Sequence, residues 1–346
     1  MSGKTIIIAN RGLMFDGATI RRGPSGGVES ATVFLAEALA RAGHRVSVYN
    51  NRDTVDSIAG VTWRPLSHGL PLRADLYIAN RNHELLLHVP FAKTRALWMH
   101  NPVWEIDLWQ FRAKMALLPP KVIVLGDYHR STCPAWVAKY DVRTIPLGLP
   151  NTFLSAATSK AAPPRRAIFT SNPGRNLDWL LRVWSERIHP ELPDAELHLF
   201  SGPEVYQMRA GTGFNRMSAV LSTADAMTDQ GVIRHKPVGR DTLRDWVAGS
   251  RVMLYRGHED ETFCLALAEA QALGVPCVVQ PIGSVVERIR DGVTGFVAPD
   301  EETFARQAIC LLSDDRLWLK HHLAALSSQR SRTWDHVAAD FESLMS

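Results

Sequence analysis

Glu261 and Glu269 stand eight residues apart in the segment Glu-Thr-Phe-Cys-Leu-Ala-Leu-Ala-Glu, which runs on as Ala-Gln-Ala-Leu-Gly-Val-Pro. The apolar residues between them predict a helix over 262–273. Glu261 then lies at the mouth of the helix and Glu269 well inside it, so the two meet different partners. The amides of Phe263 and Cys264 fall at the helix start, where free N–H groups and the dipole favour an anion. A carboxylate at the mouth can accept hydroxyls of a sugar, and one inside the helix can take the paired hydroxyls of a ribose. Equally, Glu261 can be an N-terminal cap and Glu269 a solvated helix residue. Spacing alone leaves both readings open.

The elements that must position these groups form a repeated βα pattern. Ile6-Ile7-Ile8-Ala9 is a continuous apolar run, as in a parallel strand buried on both faces. A polar, Gly-rich loop leads to a helix over 29–41, stopped at Gly43, and Arg45-Val46-Ser47-Val48-Tyr49 returns as a strand. Further strands are predicted over 76–79, 95–99, 122–125 and 142–145, with a helix over 131–140. The small, Pro-containing and basic stretch 151–166 reads as a linker. The pattern then restarts, with strands at 167–170, 196–201, 232–235, 252–255, 276–280 and 296–297. Helices are expected over 176–187, 242–248, 262–273 and 285–290. Ligands of such sheets bind beyond the carboxyl ends of the strands. The expected division is an N-terminal Rossmann-like domain over 1–150, the linker 151–166, and a C-terminal Rossmann-like domain over 167–327. A last helix at about 328–346 is expected to pack back onto the first domain.

Several segments in this order resemble one family. The 261–276 segment resembles the E-x7-E signature of family 4 retaining glycosyltransferases, which have the GT-B fold. Pro24-Ser25-Gly26-Gly27-Val28-Glu29 is similar to that family's Gly-Gly loop. Ile145-Pro146-Leu147-Gly148 is similar to the end of its N-terminal domain, and 171–181 to its phosphate-binding turn. Asp291-Gly292-Val293-Thr294-Gly295-Phe296 and Thr333-Trp334 are similar to later elements. The matches are collinear over nearly the whole chain. The resemblance implies an α/β protein of the GT-B class, two Rossmann-like βαβ domains facing each other across a cleft. It implies transfer of a sugar from a nucleotide-diphosphate sugar to a glycan, lipid-linked or small-molecule acceptor, with retention.

The resemblance also implies roles. Glu269 would hold the donor ribose, and Glu261, with the backbone of Thr262, Phe263 and Cys264, the transferred sugar. Arg175 falls where the family places a cation on the diphosphate; the alternative is a surface Arg at a helix start. A cation beside helix N–H groups suits a leaving diphosphate. Gly26 and Gly27 would let the first helix approach the same group. The turn Ser171-Asn172-Pro173-Gly174-Arg175 is shorter than the family's and carries one cation. Asn172, by hydrogen bonding, and Arg256, from the loop before Glu261, are the candidates for a second phosphate partner. His100 closes the strand in Leu97-Trp98-Met99-His100-Asn101, at a carboxyl end where functional groups are presented. In the family a His here often faces the donor sugar.

The segment 104–118 is apolar on two stripes, Trp104, Leu108, Phe111 and Met115 on one and Ile106, Trp109 and Ala113 on the other. It is either core or a surface for a lipid-linked acceptor or the membrane, with Arg112, Lys114 and the loop pair Arg21-Arg22 meeting lipid phosphates. The net charge of +4 is a mild excess without the basic stripe of a nucleic-acid binder. No G-x-G-x-x-G, Walker A lysine or D-x-D motif occurs. The four cysteines share no C-x-x-C spacing, so neither zinc nor a redox dithiol is expected. The apolar run at the N-terminus is too short for a signal peptide or a span. The expectation is therefore a cytoplasmic enzyme, peripheral on the inner membrane face if 104–118 is a lipid surface. Neither metal nor cofactor is expected, only the nucleotide sugar as substrate. Two rivals are a nucleotide-sugar epimerase or hydrolase of the same fold and a non-catalytic nucleotide-sugar-binding paralogue.

Overall fold

A computed structural model describes residues 3–157, 160–202, 211–328 and 330–346. Residues 1–2, residues 158–159 of the expected linker and residue 329 of the expected C-terminal helix lie outside the described residues. The chain divides into two compact units. The first runs to Gly148 and takes back Arg332–Ser346; the second spans Leu149–Ser331, with Gly23–Ser25 counted to it.

The first unit is built on β1 (Thr5–Asn10), β2 (Arg45–Asn50), β3 (Asp56–Ile58), β4 (Val61–Pro65), β5 (Arg73–Asn80), β6 (Phe91–Trp98), β7 (Lys121–Val124) and β8 (Val142–Thr144). Their order in the sheet is β3-β4-β2-β1-β5-β6-β7-β8. β3 is antiparallel to β4 and the other pairs are parallel. β1 lies between β2 and β5, and Ile6, Ile7, Ile8 and Ala9 are all buried, as a strand covered on both faces requires. The helix Gly27–Arg41 covers one face. Against it packs the helix Trp334–Ser343, through Trp334 on Phe34 at 5.8 Å. Phe341 of that helix meets Trp98 edge-on at 5.3 Å. A capping box between Thr333 and His336 starts the helix. Its entry crosses the chain at Gly148, where a Cβ would lie 2.6 Å from the Thr333 carbonyl. Arg332 donates to the Pro146 carbonyl at 2.9 Å.

The second unit holds β9 (Arg166–Phe169), β10 (Glu196–Phe200), β11 (Val232–His235), β12 (Val252–Tyr255), β13 (Cys277–Val279) and β14 (Gly295–Val297), in the order β11-β10-β9-β12-β13-β14, all parallel. β9 and β12, side by side, are buried almost throughout.

The local differences from the sequence reading have physical causes. Pro134 breaks the helix expected over 131–140 into a helix at Asp127–Ser131 and a 3-10 turn at Ala135–Lys139. The helix expected over 176–187 ends as α-helix at Val183 and continues as a π-turn over Trp184–Ile188; the buried Trp184 indole donates to the Gln230 carbonyl at 2.8 Å. The segment 104–118 divides into a 3-10 turn (Val103–Ile106) and a helix (Trp109–Leu117). The expected linker begins with a helical turn, Asn151–Leu154, whose Phe153 enters the second unit's core. Residues 285–290 are a 3-10 turn at Gly283–Glu287 instead of a helix.

Candidate active site

In the second unit two loops meet at the carboxyl ends of neighbouring strands: the turn after β9, with Arg175, and the loop after β12, with Glu261. Asn172 accepts the Gly174 N–H on its side chain at 2.8 Å and the Arg175 N–H on its carbonyl at 2.9 Å. The carboxamide oxygen thus closes the turn, and the group expected to donate to a phosphate is the amide nitrogen of the same side chain. Asn176 takes a left-handed conformation, φ 61°, and donates to the Gly257 carbonyl at 2.6 Å. That bond ties the two loops together. A second close approach holds the β12 loop in place, because a Cβ at Gly283 would lie 2.2 Å from the His258 carbonyl.

Arg175 points into this junction. Its Nη1 is 3.0 Å from Nδ1 of His258, its Nε 3.5 Å from Glu261 Oε1, and its Nη1 3.9 Å from Asp260 Oδ2. Two residues singled out in separate sequence segments thus form one ion pair, and His258 is a member the sequence reading did not name. Arg256 takes other neighbours. It lies over the Trp179 ring at 4.9 Å and donates to Gln280 at 2.9 Å.

The helix after Glu261 begins later than its sequence suggests. It spans Leu265–Ala272, and Cys264 precedes it in a left-handed conformation, φ 60°. The amides of Phe263 and Cys264 therefore lie ahead of the first helical turn. Glu261 is not the cap. Its carboxylate neighbours the Cys264 thiol, which burial first and then that negative charge push well above the ordinary thiol range. Thr262 and Phe263 are buried, and the Arg288 guanidinium lies 4.4 Å from the centre of the Phe263 ring.

Glu269 is also not a solvated helix residue. It is buried and ion-paired with Arg240, the first residue of the helix Arg240–Ala248. Arg240 in turn stacks on Phe153 at 5.4 Å. The sequence reading passed over Arg240. Its signal was a cation just before a predicted helix, where the dipole disfavours it and a nearby carboxylate compensates.

In the first unit His100 follows β6 and is buried, 4.4 Å from the Trp98 ring. Burial first, then Arg81 and His129, hold its imidazole well below the ordinary range, so it is neutral at pH 7. His129 fixes the loop that follows. Its Nδ1 accepts the Leu125 N–H at 3.0 Å, which leaves the proton on Nε2 to donate to the Asn101 carbonyl at 2.9 Å. Thr132 accepts the Val103 N–H at 2.8 Å. A cavity of about 200 Å³ opens beside His100, lined among others by Arg81, His83, Glu84, Glu105 and Phe111. Gly26 precedes the helix Gly27–Arg41, where a Cβ would meet Glu29 Oε2 at 2.3 Å. Glu29, buried in the first turn, has its carboxyl raised by desolvation against a smaller opposing effect of Arg81.

Arg21, named with Arg22 for a lipid surface, forms a two-pronged pair with the buried Glu37, both contacts at 2.9 Å, while its own side chain stays half exposed. Of the two stripes in 104–118, Ile106, Phe111 and Met115 are core, whereas Trp104, Leu108, Trp109 and Ala113 are exposed, Trp109 by 76%; Leu117, outside both stripes, is exposed as well. Among the described residues, no helix is long and apolar enough to cross a membrane. Among them also, no group of three or more His, Cys, Asp or Glu side chains is placed to hold a metal ion.

Comparison with known proteins bears on the same regions. Residues 165–314 match the family model described as glycosyl transferases group 1. The chain is similar to a D-inositol 3-phosphate glycosyltransferase of Streptomyces griseus, 28% identical over 201 residues, covering 51% of this chain and 41% of that protein. It is also similar to its namesake from Xylanimonas cellulosilytica, 33% identical over 110 residues, 31% of this chain and 26% of that one. It thus spans less than half the length of these curated relatives. Among solved structures, sucrose-phosphate synthase from Thermosynechococcus elongatus superposes with a TM-score of 0.76 at 15% identity, covering 98% of this chain and 97% of that one. Anabaena HepE in complex with UDP-glucose does so at 0.71 and 14%, covering 98% of each. WaaG, a glycosyltransferase involved in lipopolysaccharide biosynthesis, gives 0.69 and 12%, with 99% of each covered. Within the second unit, residues 165–314 therefore match glycosyl transferases group 1, on a chain whose two α/β units have the GT-B fold.

Proposed function

We propose that the chain is a family 4 retaining glycosyltransferase that moves a sugar from a nucleotide-diphosphate sugar to an acceptor without a metal ion. The observation that carries this reading is the Arg175–Glu261 contact of 3.5 Å at the strand ends of the matched domain. It sets a cation for a departing diphosphate beside a carboxylate for sugar hydroxyls. Glu269, oriented by Arg240, takes the ribose hydroxyls. Arg175 stabilises negative charge as the bond from the anomeric carbon to the diphosphate oxygen breaks, and the acceptor hydroxyl then attacks from the same face, its proton passing to the departing diphosphate oxygen. His100, neutral, hydrogen-bonds the transferred sugar. The bound UDP-glucose of HepE and the sugar-transfer names of the relatives favour a nucleotide-sugar donor.

A peripheral membrane contact belongs to the same proposal. The exposed Trp104, Leu108, Trp109 and Leu117, with Arg112 and Lys114 on the same segment, suit an interface between headgroups and acyl chains. The test of the core reading is turnover of UDP-, GDP- and ADP-sugars by the full chain in excess EDTA, with the product's anomeric configuration read by proton NMR. An inverted product, or activity that EDTA abolishes and Mg²⁺ or Mn²⁺ restores, overturns it.

A further inference from the structure

We propose that the cavity beside His100 selects its acceptor as one neutral, polyhydroxylated ring, a terminal sugar unit or free polyol carrying no phosphate. The inference rests on the reading of the chain as a nucleotide-sugar transferase and adds the acceptor's chemistry to it. The cavity lies within the first unit, at the carboxyl ends of β5 and β6. Its volume of about 200 Å³ is on the scale of a single ring.

The lining is that of a sugar site. One wall is a stacked pair, His83 on Phe111, with ring centres 3.3 Å apart and planes 22° from parallel. Burial, then Lys114, lower the His83 imidazole below its ordinary range, so the pair is an uncharged, flat surface at pH 7. Such a surface suits the C–H face of a sugar ring. Around it stand hydrogen-bonding groups held by one another. Asn101 donates to Glu105 at 2.8 Å, and Asn82 accepts the Glu84 N–H at 2.9 Å. An ionised carboxylate has about four lone-pair sites, so Glu105 keeps acceptor capacity for hydroxyl donors after binding Asn101.

The charge balance argues against an anionic acceptor. Among the lining groups Arg81 is the one cation, while Glu84 and Glu105 are anions and His83 and His100 are neutral. Arg81 also acts on the buried Glu29 carboxyl, and Glu84 pairs with Arg11. A phosphate is ordinarily met by a surplus of Arg or Lys with bidentate geometry. Here it would enter beside Glu105, which forms no ion pair among the described residues, a like-charge placement that disfavours the wrong partner.

The experiment uses the full chain and measures binding and transfer separately. Saturation-transfer NMR in the presence of UDP compares neutral probes (methyl α-glucoside, methyl N-acetyl-β-glucosaminide and myo-inositol) with glucose 6-phosphate and an inositol phosphate. Neutral probes are expected to bind and phosphorylated ones not to. Glu105→Gln is expected to weaken the neutral probes at least fivefold. The double substitution Glu84→Gln with Glu105→Gln is expected to shift the preference toward the phosphorylated probes, a change that loss of structure would not produce. A wild-type preference for phosphorylated probes overturns the inference, as does neutral binding unchanged by either substitution, or no neutral binding at all. Donor turnover is followed in parallel. If nucleotide sugars are consumed but only phosphorylated acceptors are glycosylated, this inference alone fails. If no nucleotide sugar binds or turns over, the transferase reading fails with it.

Discussion

Nη1 of Arg175 lies 3.0 Å from Nδ1 of His258, and the same nitrogen accepts the Asp260 N–H at 3.2 Å. His258 Nδ1 also lies 3.4 Å from Asp260 Oδ2. His258, Glu261 and Asp260 thus hold the guanidinium among them, and the two carboxylates supply a negative field beside it. Arg175→Ala should therefore lower kcat/KM by about 10²–10³, the scale of losing one group aimed at developing charge. Arg175→Lys should retain more activity, because the charge survives although the fork is lost. Steady-state kinetics on the two variants decide it. Normal turnover in Arg175→Ala would pass the phosphate role to Arg256.

The Glu269–Arg240 pair ties stability to ligand affinity. Both side chains are largely buried, and removing one partner of such a pair costs about 3–5 kcal/mol because the other is left uncompensated. Glu269→Ala should lower the thermal midpoint and weaken free nucleotide at least tenfold. Adding Arg240→Met should restore much of the stability and none of the affinity. Thermal melts with calorimetric titration of UDP, GDP and ADP separate the two. Unchanged nucleotide affinity in a folded Glu269→Ala protein would remove Glu269 from the site.

His129 makes stability depend on pH. Burial lowers its imidazole to about 4 from an ordinary 6.5, against a smaller opposing effect of its bond to Asn101. The unfolded chain thus binds the proton more tightly than the folded one, and folded stability falls as pH drops below about 6.5 toward 4. Between pH 7.5 and 5 this group alone should account for a loss of about 2 kcal/mol. The buried His100, shifted in the same direction, adds to it. Urea midpoints at the two pH values should differ less in His129→Gln than in the wild type. An equal difference would assign the loss to other groups.

The exposed apolar side chains of 104–117 should bind anionic vesicles. A Trp104→Ser, Trp109→Ser protein should lose cosedimentation with phosphatidylglycerol vesicles and keep its thermal midpoint, since surface substitutions rarely move stability by more than about 0.5 kcal/mol. Undiminished cosedimentation would show that this face is not the membrane contact.

The strands that hold the site were legible because their sequences are continuous apolar runs. Residues 252–255, Val-Met-Leu-Tyr, read from sequence as the strand they form, and all four are buried, whereas 232–235, Val-Ile-Arg-His, form an edge strand with Arg234 exposed. Less legible was everything decided by partners distant along the chain. Arg240 meets Glu269 across 29 positions and His129 meets Asn101 across 28, so no local pattern announces either. Cys264 looks like ordinary helix, yet its left-handed turn delays the helix start and frees Glu261 from capping. Asp56–Ile58, a short antiparallel strand at the sheet edge, has too few residues for a period to show.

The return of Arg332–Ser346 to the first unit sets an order of events. The second unit is nearly one continuous stretch, Leu149–Ser331, and can close on itself as soon as it leaves the ribosome. The first unit cannot. Its strand β1 is synthesised before the second unit, but Phe341, which backs Trp98, only after it. Trp98 is in turn the neighbour of His100. A nascent chain halted after Ser331 would carry a complete second unit and a first unit with bare aromatic surface, the kind of species that chaperones capture. The first unit thus matures late, and the helix Trp334–Ser343 acts as its closing pin.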